Sequence, residues 1–148
     1  MNDFVYYIGV DHREMDALAV CEHSARAYAS RPLNIKHLEH LDLRNRQYFD
    51  RPWRVCEDGT TLDERDGKPF STQFSHTRFL TPLLAQAETE ASWALFTDCD
   101  WLWLEDPYKI LKEADRSKTV MVVPHNYVPK TERKMDNQIQ TKYNRKLW

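Results

Sequence analysis

Two aspartates one residue apart, Asp98 and Asp100, are the side chains of this chain best suited to chemistry. They follow residues 93–96, a short apolar run that is typical of a buried strand. Ligands of open α/β sheets bind beyond the carboxyl ends of such strands. Carboxylate oxygens at that edge suit a Mg²⁺ or Mn²⁺ ion that also holds a diphosphate. The pair therefore predicts a metal and diphosphate site.

The elements that must position this pair alternate between strands and helices. An apolar run over residues 4–10 predicts a first strand that ends at Asp11, and a helical pattern follows it. A second, less buried strand is expected within residues 33–43, and a helix within residues 72–87 leads to a central strand at residues 93–96. This order predicts an α/β sandwich with a mostly parallel central sheet.

The remaining segments are less regular. Residues 45–70 are rich in charge and contain two Asp-Gly pairs, which favours an exposed β-ribbon or loop. A short helix capped by Asp106, with Pro107 in its first turn, is expected to run through Ala114, and a further strand over residues 119–123. Residues 129–148 are a polar tail. The chain has 148 residues, so we expect one domain with an insertion and a tail.

Composition excludes several classes of function. The chain has 21 basic and 23 acidic residues and a net charge of −2, so no nucleic-acid partner is expected. No apolar run approaches the length of about 18 residues that a membrane span needs, and no signal-type leader is expected from Met1-Asn2-Asp3. Cys21, Cys56 and Cys99 lack the spacing of a zinc site or a disulfide framework, which favours the cytoplasm.

The topology adds a third carboxylate to the predicted site. Right-handed crossovers would bring the end of the first strand, at Asp11, to the same edge as Asp98 and Asp100. In an extended register both later aspartates face one side, and Cys99 faces the core, where we assign it no chemistry. The alternative is that the aspartates are ordinary residues of a turn after the strand.

The acidic segment resembles a known enzyme group. Residues 96–102, followed by Asp106-Pro107, resemble the Asp-x-Asp segment of glycosyltransferases with the nucleotide-diphospho-sugar transferase (GT-A) fold. The pattern is most similar to the glycogenin-like group, family eight. Gly9-Val10-Asp11 resembles the end of the first strand in that group, and residues 75–84 resemble its arginine-containing helix.

The resemblance implies a metal-dependent glycosyltransferase that uses a nucleotide-diphospho-sugar, typically a UDP-sugar, and an unknown acceptor. By this resemblance, Asp98 and Asp100 would bind Mn²⁺ or Mg²⁺ and the ribose. Asp11 would contact the base or the ribose, and Arg78 the donor or the metal aspartates. His125 is a candidate substitute for the metal-binding histidine that the group carries in a later segment. The catalytic residue stays unassigned.

Two other functions fit the same residues. The later segment with the histidine and lysine of the group is missing, so the resemblance implies a member truncated at its C-terminus. Such a protein could bind nucleotide sugars without catalysis after losing its acceptor half. A haloacid-dehalogenase type of Mg²⁺-dependent phosphotransferase also places Asp-x-Asp after a strand, with the first aspartate as nucleophile.

Overall fold

The computed structural model describes residues 4–123, Glu132 and Arg133. The chain divides into two compact units, Met1–Lys112 and Glu113–Trp148. Within the described residues, every helix and strand belongs to the first unit.

The first unit alternates between strands and helices, which agrees with the predicted α/β class. The strands are β1 (Phe4–Gly9), β2 (Ile35–Leu38), β3 (Trp53–Val55), β4 (Thr61–Asp63) and β5 (Trp93–Thr97). The α-helices are α1 (Met15–Tyr28), α2 (His40–Asn45) and α3 (Thr81–Glu88). Three 3-10 helices span His12–Glu14, Thr77–Leu80 and Pro107–Lys112.

Among residues 4–123, the main sheet has three parallel strands in the order β2-β1-β5. Its register aligns Gly9 with Leu38 on β2 and Ile8 with Thr97 on β5. The prediction that residues 93–96 form the central strand is wrong for the described sheet, because β5 lies at its edge and β1 is the centre. Periodicity predicts a strand but not its neighbours, which explains the error.

β1 is buried along its whole length because both of its faces are covered. Alternate side chains point to opposite faces of a strand, so β1 contributes to two separate cores. Tyr6 and Ile8 pack with apolar residues of α1, such as Leu18. Val5 and Tyr7 pack on the other face with residues of β2, α2 and α3. The central strand thereby fixes the helices on both sides of the sheet.

A helix replaces the second half of the second predicted strand. β2 has only four residues, whereas the sequence predicted a strand within residues 33–43. α2 takes up the remainder and buries Leu43, while Leu41 stays exposed. These two leucines alternate with polar residues as in a strand, so the local pattern could not distinguish the two structures.

The helix predicted over residues 72–87 begins later than expected. Thr77–Leu80 form a 3-10 helix, and α3 starts at Thr81. Pro82 lies in the first turn of α3, where its missing N–H has no intrahelical acceptor to lose. Pro82 is therefore compatible with α3 and does not interrupt it.

The predicted β-ribbon is a hairpin of β3 and β4, which pair antiparallel as a separate sheet. Gly59 and Gly67 adopt positive φ angles of 82° and 70°, as their Asp-Gly pairs predict. The segment is not exposed throughout. Asp63 is buried, forms ion pairs with Arg51 and His76, and accepts a hydrogen bond from the backbone N–H of Arg65.

The second unit is described only in part. The strand predicted over residues 119–123 is absent, since these residues form no ladder with any described residue. Val120, Val122 and Val123 are mostly exposed there. A strand needs a hydrogen-bonded neighbour, so β-rich composition alone does not produce one. The polar tail at residues 129–148 lies largely outside the described residues.

A buried polar network joins β1, β5 and the segment after β5. The hydroxyl of Tyr6 lies 2.6 Å from Oγ1 of Thr97 and 3.2 Å from Sγ of Cys21. It also accepts a hydrogen bond of 3.1 Å from Nε1 of Trp103. The phenol therefore bonds to three polar side chains that are buried or partly buried.

Replacing Tyr6 with phenylalanine is expected to lower the free energy of unfolding by about 1–2 kcal/mol, because the indole N–H of Trp103 loses its acceptor. Urea denaturation of the parent and variant measures the loss. Tyr28, at the exposed end of α1, supplies the control, because Tyr28→Phe should change stability by less than about 0.5 kcal/mol. Equal stability of the two variants would contradict the expectation.

Candidate functional site

Polar residues collect where the three parallel strands end. Asp11 comes two residues after β1, Glu39 directly follows β2, and Asp98 directly follows β5. The strands run in the same direction and are aligned near their ends, so these residues lie at one edge of the sheet. This edge is the position at which open parallel sheets bind ligands.

The two aspartates of the Asp-x-Asp segment face solvent. Asp98 and Asp100 are exposed, whereas Cys99 between them is fully buried. The Cys99 thiol donates a hydrogen bond of 3.1 Å to Oε2 of Glu14, and its sulfur lies against the backbone of Asp11. The ends of β1 and β5 therefore meet at Cys99, which leaves the flanking carboxylates on the outside.

Cys99 has no role as a nucleophile. Burial, together with the nearby carboxylate of Glu14, raises the pKa of its thiol to about 12. A thiol needs its thiolate form to attack an electrophile, and this group stays protonated at neutral pH. The prediction that Cys99 faces the core agrees with its burial.

Asp11 is fully buried, and both of its oxygens already accept hydrogen bonds. Nε and Nη2 of Arg13 donate to Oδ1 and Oδ2 at 3.0 and 2.8 Å. The backbone N–H of Arg13 donates to Oδ1 at 3.0 Å, and that of Gln73 donates to Oδ2 at 3.1 Å. Asp11 thus holds the turn after β1 against residues 71–75, and its predicted contact with a base or ribose stays a prediction.

The surroundings of Asp11 keep it ionised. Burial alone would raise the pKa of this carboxyl, but the hydrogen bonds from Arg13 and Gln73 outweigh burial and lower the pKa below its ordinary value. The guanidinium of Arg13 also donates to the carbonyl of Ser71 at 3.0 Å. The charge of Asp11 is therefore used to fix the edge of the sheet.

Histidines line the same edge beside β2. Nδ1 of His12 lies 2.8 Å from Oε1 of Gln73, and its Nε2 lies 3.3 Å from Oε1 of Glu39. His40 is buried and stacks on Trp53 at a centroid distance of 4.1 Å. Burial lowers the pKa of His40 to about 4, so this imidazole is neutral at pH 7. The edge beside β2 thus contains two imidazoles, the half-exposed ring of His12 and the buried ring of His40.

The other two predicted site residues are not brought into this arrangement by any described contact. Arg78 is exposed in the 3-10 helix before α3, and its guanidinium lies 5.2 Å from the ring centroid of Phe79. Its predicted contact with the donor or the aspartates stays a prediction. His125, the candidate substitute metal ligand, lies outside the described residues.

The donor set fits a cation only when a ligand supplies further oxygens. The described part of the chain contains no group of three or more His, Cys, Asp or Glu side chains that could hold a metal ion. Asp98 and Asp100 provide two exposed carboxylates at the sheet edge. Mg²⁺ is typically held by one or two carboxylates together with substrate phosphates and water, so two aspartates suffice for a cation shared with a diphosphate.

Sequence reasoning missed several residues of this edge. Glu39 and His40 were not candidates, because the predicted second strand ran through them. His12 was not a candidate either. Gln73, which contacts both Asp11 and His12, lies 62 residues after Asp11. The available signal for the first three was a polar residue within three positions of a strand end, whereas nothing local indicated Gln73.

Fold and site together define a small α/β protein with a parallel sheet and a polar, partly acidic carboxyl edge. The chain is 39% identical over 145 residues to the protein CDI of Arabidopsis thaliana, a match that covers 98% of this chain and 50% of that protein. The chain therefore spans about half the length of the curated relative it matches. No family model matches the chain, and no solved structure matches it either.

These comparisons correct the relationship expected from the sequence. Membership of the glycogenin-like glycosyltransferase group is wrong, since the similarity found is to protein CDI and no glycosyltransferase family matches. The segments that carried that expectation, the Asp-x-Asp triplet above all, are too short to define a family. Among the described helices, none has the length and apolar character required to cross a membrane.

Proposed function

We propose that the carboxyl edge of the sheet binds a nucleotide-diphospho-sugar with Mg²⁺ or Mn²⁺, and that the protein is a metal-dependent glycosyltransferase with an acceptor still to be identified. One observation carries the proposal. Asp98 and Asp100 are exposed at the end of β5, next to the end of β1, while Cys99 between them is anchored inside. The finer fold assignment, a nucleotide-diphospho-sugar transferase sandwich, is part of the same proposal.

The residues at this edge would have separate roles. Asp98 and Asp100 would hold the cation, which supplies electrostatic stabilisation of the diphosphate leaving group. Asp11 and Arg13 would keep the turn after β1 in place, so that this turn forms the floor of the site. His12 would present its half-exposed imidazole beside that floor. The free thiols of the three cysteines support a reducing setting such as the cytoplasm.

Binding without transfer is a second candidate function. Both oxygens of Asp11 are occupied by Arg13 and Gln73, which leaves the two outer aspartates as the exposed acidic pair identified at this edge. Two exposed carboxylates are enough to bind a cation together with a diphosphate. Such binding does not need a group that activates an acceptor. This observation favours a protein that recognises nucleotide sugars and leaves them intact.

Thermal unfolding with UDP and a panel of UDP-sugars, with and without Mn²⁺, tests the proposed site. A ligand present at 100 times its Kd stabilises the folded state by about 2.7 kcal/mol, so a metal-dependent rise in Tm is expected for the parent. The rise should vanish in Asp98→Asn/Asp100→Asn. Asp50→Asn/Glu90→Gln removes the same charge from exposed positions in the loop after α2 and the turn before β5, and should keep the rise.

The outcomes separate the functions. UDP release from a UDP-sugar by the parent, lost in the Asp98 and Asp100 variant, supports transfer or the related hydrolysis. Metal-dependent stabilisation without UDP release supports binding alone. Hydrolysis of a simple phosphate monoester that Asp98→Asn abolishes would instead favour a phosphotransferase. No stabilisation by any nucleotide, or equal stabilisation of both double variants, would overturn the proposed site.

A further inference from the structure

A cleft lies between the sheet and the helices α2 and α3. Its volume is about 210 Å³, and the described residues that line it include none of the predicted site residues. One water molecule takes up about 30 Å³ in the liquid, so the cleft has space for a group larger than a single solvent molecule. Its polar lining comes from Tyr7, Lys36, Arg46 and Glu88, with His37 at the edge strand.

The cleft contains a buried hydroxyl without a partner. Tyr7 is only 1% exposed, and no described group forms a hydrogen bond with its hydroxyl. A buried polar group that lacks a partner costs about 1–3 kcal/mol, so such groups are rare in native proteins. This hydroxyl can donate to an acceptor that enters the cleft.

Two cations share one carboxylate beside this hydroxyl. Nζ of Lys36 lies 3.2 Å from Oε2 of Glu88, and Nη2 of Arg46 contacts Oε1 of the same residue. Arg46 also forms an ion pair of 3.1 Å with Asp42, which is not among the residues that line the cleft. The charged side chains that do line it, Lys36, Arg46 and Glu88, carry a net charge of +1 at neutral pH. The cleft thus combines a positive balance with an unused donor, which is the chemistry of an oxyanion site.

We infer that this cleft binds a small phosphate-type oxyanion between Lys36 and Arg46, with the hydroxyl of Tyr7 as a third donor. Glu88 occupies the two cations when the oxyanion is absent and competes with it. Tyr7, Lys36 and Glu88 come from β1, β2 and α3, so the bound group connects the sheet to α3. None of these residues takes part in the proposed nucleotide-sugar site, and either proposal can fail without the other.

Calorimetric titration with inorganic phosphate at constant ionic strength tests the inference. Lys36→Met and Tyr7→Phe are each expected to weaken phosphate binding by about tenfold, the equivalent of one charge-assisted hydrogen bond. Tyr7→Phe should leave the stability of the free protein unchanged or raised, which a purely structural tyrosine would not do. Glu88→Gln should tighten binding, because it removes the competing charge. Lys68→Met, at an exposed position in the hairpin segment, is the control for lost charge.

Two further titrations identify the source of the phosphate group. Tighter binding of glycerol 3-phosphate than of inorganic phosphate would assign a soluble ester. Co-sedimentation with phosphatidylcholine vesicles that contain phosphatidic acid, without any gain from glycerol 3-phosphate, would assign a lipid headgroup. Either result supports the site only if Tyr7→Phe reduces the binding. Absence of phosphate binding by the parent, or equal affinity of the parent, Tyr7→Phe and Lys36→Met, would overturn the inference.

Discussion

Replacing Asp11 with alanine is expected to lower the free energy of unfolding by about 3 kcal/mol, because hydrogen bonds to a buried charged acceptor contribute more than neutral ones. The substitution leaves the guanidinium of Arg13 and the backbone N–H of Gln73 without their acceptor. Arg13 keeps 43% of its side chain exposed and can turn to water, which limits the loss. Urea denaturation at pH 7 measures the difference.

The control for this prediction is an aspartate with a weak partner. Asp50 is 93% exposed and lies 3.7 Å from Arg65, so Asp50→Ala should change stability by less than about 0.5 kcal/mol. A loss for Asp11→Ala as small as that of Asp50→Ala would contradict the assigned role. Loss of the folded circular dichroism spectrum in Asp11→Ala without denaturant would agree with it.

The stabilisation by Asp11 also has a defined pH dependence. The pKa of this carboxyl is lower in the folded state than in the unfolded chain, so folding is favoured by its ionisation. The contribution is complete above the unfolded pKa of about 3.9 and is lost as the pH falls through the folded pKa. The difference in stability between parent and Asp11→Ala should therefore shrink below about pH 4. A difference that stays constant down to acid denaturation would show that the ionised form is not what stabilises the fold.

Elements with strong local signals could be predicted from the sequence. β1 and β5 stand out as apolar runs, and the Asp-Gly pairs correctly indicated turns that need positive φ. α2 was missed because Leu41 and Leu43 fit the period of a strand as well as that of a helix. Helical and extended patterns are indistinguishable over so few residues, and tertiary packing of Leu43 decides between them.

The site could be predicted only where it depends on strand ends. Asp98 directly follows β5, so predicting its location at the edge required only that this one strand be predicted correctly. The hydrogen bond from the backbone N–H of Gln73 to Asp11 depends on how residues 71–75 cross the edge of the sheet. No local sequence pattern encodes this crossing. The cleft at Tyr7 likewise joins residues from β1, β2 and α3. Contacts between distant segments follow from packing, which a single sequence does not display.

The absence of a side chain at Gly9 is what allows residues 71–75 to reach the edge of the sheet. A Cβ atom at Gly9 would lie 2.5 Å from Cγ of Phe74 and 2.7 Å from both Cδ atoms, far inside van der Waals contact. Phe74 is 1% exposed and packs on Phe96, so its ring has little freedom to retreat. The neighbouring Gln73 then donates its backbone N–H to Asp11, which links this contact to the candidate site.

Gly9→Ala is accordingly expected to lower the free energy of unfolding by about 2–3 kcal/mol through overpacking. Phe74→Leu removes part of the ring and leaves space for the methyl group, so the double variant should lose less than the sum of the two single losses. A coupling of about 1 kcal/mol or more is expected from a double-mutant cycle measured by urea denaturation.

Phe49→Leu provides the matched cycle, because Phe49 is also a buried phenylalanine but is absent from the closest contacts of a Cβ at Gly9. The loss in free energy of unfolding caused by Phe49→Leu should add to that caused by Gly9→Ala within about 0.5 kcal/mol. Equal coupling in both cycles would mean that Gly9 acts through general loosening of the core. Coupling confined to Phe74 would show that direct contact between Gly9 and Phe74 limits the space at the carboxyl end of β1.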